Sequence, residues 1–321
     1  MNHIFYITLI LSGTLMAVLL SMNARPICNA LQLIDIPSGR KKHTSPTPLM
    51  GGVTVLFAFV PSAIVLVCVS ASERWLGSLL IWIGCISLMA IVGLGDDRHS
   101  LSPRLRLIVS FLVFTLAAAI DPTFNVRVLD FSFPPLTLGL GTWWLAIIFT
   151  VTCCVGLLNA VNMADGKNGL VLGLSLGWSA ILALRASESL VPLIGLFACV
   201  LVVLTVFNMR GKLFLGDGGA YAIATAIGLL AIMVYNTPGT HTVRAISAEG
   251  MVLLFAVPVA DSFRLTYKRL RQGRSPMSAD RDHLHHHLQD HFGWPKGLVI
   301  YWLIALFPST VMVSHDLLIN G

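Results

Sequence analysis

Ten apolar stretches, near 4–22, 49–70, 76–95, 105–120, 143–160, 169–185, 190–207, 218–235, 248–264 and 298–315, reach or approach one membrane crossing. About 20 residues of helix cross ~30 Å of hydrocarbon. This is the strongest limit on the fold, because inside lipid every backbone N–H and C=O must find its partner within protein. Composition agrees: 56% of the 321 residues are hydrophobic and 11% are charged, where a soluble domain carries about 25% charged residues. The expectation is an all-α membrane protein with one domain over 1–321, a polytopic bundle of about ten transmembrane helices.

Lysine and arginine orient that bundle. With the N-terminus outside, 17 of the 21 fall in inside loops, and Arg74, Arg127, Arg185 and Arg244 remain outside. Such asymmetry is the signature of a multi-pass protein with positive loops inside. The net charge of +6 then reads as loops facing anionic lipid. Nucleic acid fits less well, since no basic domain stands apart from the membrane. The first segment lacks a basic region before it, so it reads as a retained span rather than a cleaved signal. The six cysteines make no C-x-x-C and imply no disulfide framework. On the outside, 121–142 contains "FNVRVLDFSF", whose near alternation predicts a small periplasmic β-hairpin.

The inside connections carry the chemistry. Asp96 and Asp97 stand side by side at the end of an apolar run. Adjacent carboxylates repel, and a divalent metal or a cation between them and a partner relieves that; a solvated helix end is the competing reading. In "NAVNMADGKNGL", Asn159, Asn162, Asp165 and Asn168 recur every three residues. That spacing puts oxygen donors on roughly one helical face, and oxygen donors suit Mg²⁺ better than zinc. In "LFLGDGGAY", Asp217 lies among glycines where a helix starts, a place suited to an anion and to the metal bridging it. Phe214 there could stack on a base.

In "DRDHLHHHLQDHFG", His283, His286 and His287 fall at i, i+3 and i+4, on one face, with His285 pointing away. Zinc is conceivable from that spacing, but no cysteine or glutamate is near and a basic run precedes it. A phosphate-binding pocket of imidazoles and arginines fits better. Finally, Arg40, Lys41, Lys42 and His43 form a cationic cluster in "DIPSGRKKHTSPTPLMGG". Phosphate contact and anchoring to anionic lipid explain it equally well. Carboxylates for Mg²⁺, cations for phosphate and glycines for close approach together point to phosphoryl transfer at the inner membrane surface, with the inside loops meeting on one hollow.

These five stretches, with "GLGDDRHSLSP" and "SADRDHLHHHL" read whole, resemble the polyprenyl-phosphate N-acetylhexosamine-1-phosphate transferases, glycosyltransferase family 4, in order and across all inside loops. The resemblance implies that undecaprenyl phosphate attacks the sugar-linked phosphorus of a UDP-N-acetylhexosamine, most simply UDP-GlcNAc. UMP leaves, and the polyprenyl-diphosphate sugar initiates a cell-surface polysaccharide. It implies a bacterial inner membrane, with the site on the cytoplasmic face. By motif position Asp217 and Asn162 would hold Mg²⁺, for which Mn²⁺ could substitute. Asp96 and Asp97 would sit by the lipid phosphate. Asn159, Asp165, Gly166, Asn168, Asn208 and Phe214 would line the nucleotide. Arg40, Lys41, His43, Arg281, His283, His285, His286 and His287 would contact phosphates.

A phosphate monoester has its second pKa near 6, so a general base gains little, and positioning by Asp96 is favoured over deprotonation. One departure is visible: where many relatives read D-G-x-D-G, this chain has Asn168 in place of the second aspartate, which bears on nucleotide contacts and sugar choice. The "HLHHHL" context is closer to the O-antigen and teichoic-acid initiators than to the muramoyl-pentapeptide branch. Membrane lipids are expected partners and a homodimer is compatible. The rival from another class is an ion-coupled transporter, which would place its charges near the midplane on repeated broken helices; no internal repeat is visible.

Overall fold

The structure, a computed structural model, describes residues 3–37, 45–70, 72–237, 245–275 and 282–320. In chain order its elements are α1 (His3–Met22), α2 (Ala24–Leu31), β1 (Ile34–Asp35), β2 (Thr47–Pro48), α3 (Gly51–Ser70), α4 (Glu73–His99) and α5 (Pro103–Ile120). After them come β3 (Val128–Ser132), β4 (Pro135–Gly139), α6 (Trp143–Ala164), α7 (Leu170–Ala183), α8 (Val191–Met209), α9 (Gly216–Asn236), α10 (Ala248–Arg271), α11 (Leu284–Phe292) and α12 (Lys296–Asn320).

The chain is an all-α polytopic membrane protein. Among the described residues, eight helices are long and apolar enough to cross a membrane: α1, α3, α4, α5, α6, α8, α9 and α12. The two other expected spans are helices of a different kind. α7 has 14 residues, about 21 Å at ~1.5 Å per residue, which is less than the hydrocarbon thickness. α10 is long, but Glu249, Asp261, Arg264 and the basic run from Lys268 to Arg271 interrupt its apolar character.

The chain divides into two compact units, Met1–Ser102 with Glu188–Ala226, and Pro103–Ser187 with Ile227–Gly321. In the first, α1 packs on α8. The Phe59 ring meets Trp82 at 5.8 Å and Phe197 at 5.0 Å, both edge-on, so α3, α4 and α8 share one aromatic core. Trp82 still satisfies its indole N–H, donating to the Ala226 carbonyl at 3.0 Å. β1 pairs antiparallel with β2, Ile34 opposite Pro48.

In the second unit β3 and β4 form the expected hairpin, in register from Val128↔Gly139 to Ser132↔Pro135. Two polar side chains, buried Tyr235 and half-buried Glu249, fasten it. The Tyr235 hydroxyl accepts from the Asp130 N–H and donates to the Val128 carbonyl, each at 2.9 Å. A Glu249 carboxylate oxygen accepts from the N–H groups of Ser132 (2.7 Å) and Phe133 (3.0 Å). Trp178 of α7 packs edge-on to Phe255 of α10 and donates to the Leu254 carbonyl at 2.8 Å.

Candidate active site

In the first unit, α4 runs unbroken through its two aspartates and ends at Ser100, whose N–H donates to the Asp96 carbonyl at 2.8 Å. The paired carboxylates then part. Asp97 Oδ1 accepts from the N–H of Asp217 at 2.8 Å, and Oδ2 accepts from the N–H of Gly218 at 3.0 Å. The first N–H groups of a helix have no partner within it, and the positive end of the helix dipole favours an anion. Asp97 is therefore a cap, supplied across space, for α9, the helix that begins at Gly216 and carries Asp217 in its first turn. Asp96 is 6% exposed, with Oδ2 at 3.5 Å from the Tyr221 hydroxyl. A pair that looks alike in sequence is thus divided: Asp97 orients Asp217, and Asp96 lies beside it on the same helix turn.

The approach to Asp217 is held just as closely. The Phe214 N–H donates to the Pro48 carbonyl at 2.8 Å, its carbonyl accepts from Met50 at 3.0 Å, and Leu215 accepts from Gly51 at 3.1 Å. Asn208 is buried and donates its side-chain amide to the Leu213 carbonyl at 3.0 Å. Asn208 and Phe214, both expected at the nucleotide, lie on the segment that presents Asp217. Close approach also matters here. A Cβ added at Gly93 would stand 2.4 Å from the Asp217 carbonyl oxygen and 2.5 Å from Gly218 Cα, so α4 touches α9 backbone to backbone.

In the second unit the three-residue spacing follows a helix face only through Asn162. α6 ends at Ala164, Asp165 is its C-cap, and Gly166–Asn168 form the turn into α7. Asn159, Asn162, Asp165 and Asn168 are all half-buried. The Asn159 amide donates to the Val155 carbonyl at 2.8 Å, and the Asn168 carbonyl accepts from the Trp294 indole at 3.2 Å.

The histidines sit differently from the expected face. His283 is the N-cap of α11 rather than a residue within it, so the i, i+3, i+4 face does not start there. His285, expected to point away, is the innermost at 1% exposure, and His287 is exposed with Nε2 at 2.8 Å from Asp282. A Cβ at Gly166 would stand 2.7 Å from His285 Nε2. The His283 and His285 rings stack at 5.2 Å and 12°, and His286 lies 4.2 Å from His285. Among the described residues, neither ring nitrogen of His285 has a hydrogen-bond partner. Burial first, then the neighbouring His286 and His283, pushes this imidazole down to about 3, so it is neutral at pH 7.

Asp261 lies within the apolar stretch 248–264. It is 8% exposed and accepts from His283 Nδ1 at 3.0 Å and from the Leu284 N–H at 3.2 and 3.3 Å. Arg264 donates to the same carboxylate at 2.9 Å. An ionised carboxylate only accepts, so His283 carries its proton on Nδ1 and keeps Nε2 for another partner. Asp282 binds Lys268 at 2.6 Å and His287 at 2.8 Å, and the Lys268 ammonium holds its carboxyl down to about 2. Arg40, Lys41, His43 and Arg281 lie outside the described residues.

Among the described residues, no three of His, Cys, Asp and Glu stand close enough to hold a metal unaided. His283 and His287 bind Asp261 and Asp282. The carboxylates of Asp96 and Asp217 are oxygen donors, the kind that Mg²⁺ takes together with water and substrate phosphates.

The glycosyl transferase family 4 model matches residues 79–235. A Yersinia pestis protein named undecaprenyl-phosphate alpha-N-acetylglucosaminyl 1-phosphate transferase is 30% identical over 273 residues, 82% of this chain and 71% of that one. The Escherichia coli K12 protein of the same name is 28% identical over 297 residues, 89% of this chain and 77% of its own length. A Bacillus subtilis protein, named as a probable transferase of this kind, is 29% identical over 291 residues, 87% and 76% of the two chains.

Proposed function

This chain belongs to the polyprenyl-phosphate N-acetylglucosamine-1-phosphate transferases of glycosyl transferase family 4, and on that premise we propose that it moves N-acetylhexosamine 1-phosphate, most simply GlcNAc 1-phosphate, from its UDP conjugate to undecaprenyl phosphate. A lipid-phosphate oxygen forms a bond to the sugar-linked phosphorus. The bond from that phosphorus to the bridging oxygen breaks, and UMP carries that oxygen and the electron pair away. The product is a polyprenyl-diphosphate sugar that starts a cell-surface polysaccharide, made on the cytoplasmic face of the inner membrane.

One observation carries the reading: Asp97 caps the helix bearing Asp217, with Asp96 buried beside it. Carboxylates gathered at an apolar helix end are tolerable where a cation neutralises them. Asp217 and Asn162 are the proposed Mg²⁺ ligands, and when bound the ion would draw charge from the phosphates in flight. Asp96 positions the nucleophile instead of deprotonating it, because the lipid phosphate already loses its second proton near pH 6. Asp97 keeps Asp217 oriented. Asp261 orients the His283 ring through Nδ1 and leaves Nε2 for substrate, while neutral His285 packs against the Gly166 turn. Asn159, Asp165 and Asn168 supply amide and carboxylate groups for the uridine.

The test supplies radiolabelled UDP-N-acetylhexosamines one at a time to membranes holding the chain, with undecaprenyl phosphate and Mg²⁺. Label is expected in the lipid fraction, together with UMP in equal amount. No transfer from any UDP-sugar, or transfer undiminished by chelation, overturns the reading.

A further inference from the structure

The inner end of the first unit's helix pair holds a recess that the reaction leaves unused. The end of α1, the start of α2, β2 and the α8–α9 connection enclose about 420 Å³, lined among others by Met22, Arg25, Ser45, Thr47, Phe207 and Lys212. This is within the ~300–1,000 Å³ typical of small-molecule sites. Both charged residues lining it, Arg25 and Lys212, are cations, both are exposed, and neither has an acidic partner among the described residues. The Lys212 ammonium stands 5.9 Å over the Phe207 ring, which narrows its range. No carboxylate lines the recess, so an anion here would not be repelled, nor would it find oxygen ligands for a metal.

A second feature says what kind of anion fits. Ile4, Ile7, Leu11, Leu15, Leu19 and Met22 of α1 are all exposed. Their spacing of three and four residues sets them on one helical face. On a membrane-spanning helix that face meets acyl chains, and its last residue, Met22, is also a wall of the recess. An apolar stripe of acyl length therefore runs directly into a pair of cations with no acidic partner among the described residues.

We propose that the recess holds the phosphate headgroup of an acidic bilayer phospholipid between Arg25 and Lys212, with its acyl chains along the exposed stripe of α1. The proposed lipid site uses none of the residues assigned to the transfer reaction, so the two readings fail separately.

The chain is reconstituted in nanodiscs of equal parts phosphatidylglycerol and phosphatidylcholine, and the lipids that stay bound are counted by native mass spectrometry. The wild type is expected to retain phosphatidylglycerol selectively, and rising salt to erode that selectivity. R25Q/K212Q should weaken the preference about 30-fold, the loss expected from two surface cations at ~1 kcal/mol each, with thermal stability and basal transfer preserved. The salt series needs no variant and stands even if the double change impairs folding. Equal retention of the two lipids by the wild type overturns the proposal, as does a selectivity that salt or the double variant leaves intact. Displacement of phosphatidylglycerol by equimolar undecaprenyl phosphate, or by inorganic phosphate at millimolar level, also overturns it, since the occupant would then be the acceptor or a free anion.

Discussion

Gly93→Ala tests the geometry around Asp217 without touching a charged group. Alanine is the better helix former by about 1 kcal/mol, so in an open position the change stabilises. Here the new methyl would stand 2.4 Å from the Asp217 carbonyl oxygen and 2.5 Å from Asp217 C and Gly218 Cα, where ordinary contact begins at 3.4 Å. All three atoms are backbone, so no side chain can rotate aside, and the helix start must retreat by about 1 Å. Overpacking of that kind costs ~1–3 kcal/mol, which outweighs the propensity gain. The retreat would also stretch the hydrogen bonds that Asp97 accepts at 2.8 and 3.0 Å, bonds to a charged acceptor being worth ~1.5–3 kcal/mol each. A misplacement of 1 Å at a reacting centre costs on the order of 10²-fold in rate. The assay is label transfer per folded molecule, the folded fraction being taken from size exclusion and thermal unfolding. Gly84→Ala on the same helix is the control, since nothing lies within 4 Å of its Cβ; it should be neutral or slightly stabilising and fully active. If Gly93→Ala transfers label at the control's rate, the tight seating of Asp217 is not what the reaction needs.

Other perturbations separate the remaining roles. Asp217→Ala should abolish transfer while the chain still unfolds cooperatively, and a rate within tenfold of wild type would remove Asp217 from the metal. Asp97→Asn keeps one acceptor oxygen and Asp97→Ala keeps none, so the rates should fall in that order along with thermal stability; equal rates would show that the cap is dispensable. Gly166→Ala drives a methyl to 2.7 Å from His285 Nε2 and should raise KM for the nucleotide sugar at least tenfold, measured by initial rates, whereas an unchanged KM would place this contact outside substrate binding. His285, held down to about 3, is protonated in the unfolded chain below pH 6.5 but not in the folded one. Its contribution is therefore complete above 6.5 and lost as pH falls towards 3. His285→Phe should flatten thermal stability between pH 7 and 4.5 relative to wild type, and parallel pH curves would refute the buried neutral ring.

Hydropathy alone located the helices, because the backbone in lipid has few alternatives and the apolar runs are long. The expected spans at α7 and α10 fall outside those criteria of length and apolar character for opposite reasons: the first is apolar but short, the second long but charged. The hairpin at 128–139 was legible from alternation. Much of the site was not. Nothing local distinguishes Asp96 from Asp97, because the difference arises from two N–H groups 120 and 121 residues further on. The histidine face was misread for a related reason. Histidine is not a preferred N-cap, so the sequence gives no sign that α11 begins after His283; the capping carboxylate is Asp261, 23 residues before the Leu284 N–H it accepts from. The signal that did exist was Asp261 itself, an uncompensated charge in an apolar run, which in a membrane protein asks for a partner.

Asp97 and Asp261 therefore solve the same physical problem. Each projects from a long helix and accepts the free N–H groups at the start of another helix, one bearing Asp217 and the other the histidines. Neither α9 nor α11 brings a side-chain cap of its own: the residue before α9 is Leu215, and His283 makes no capping hydrogen bond. A helix capped from within keeps its start whatever its neighbours do, but a helix capped from another helix is placed by that neighbour. Such placement fixes a functional group to a fraction of an ångström, as positioning catalysis requires. It also concentrates the risk, since losing one carboxylate leaves N–H groups unpaired, at ~1–3 kcal/mol each, and frees the helix that carries the chemistry. On this account Asp97 and Asp261 should be as intolerant of substitution as Asp217, although the roles argued here put neither of them on substrate or metal.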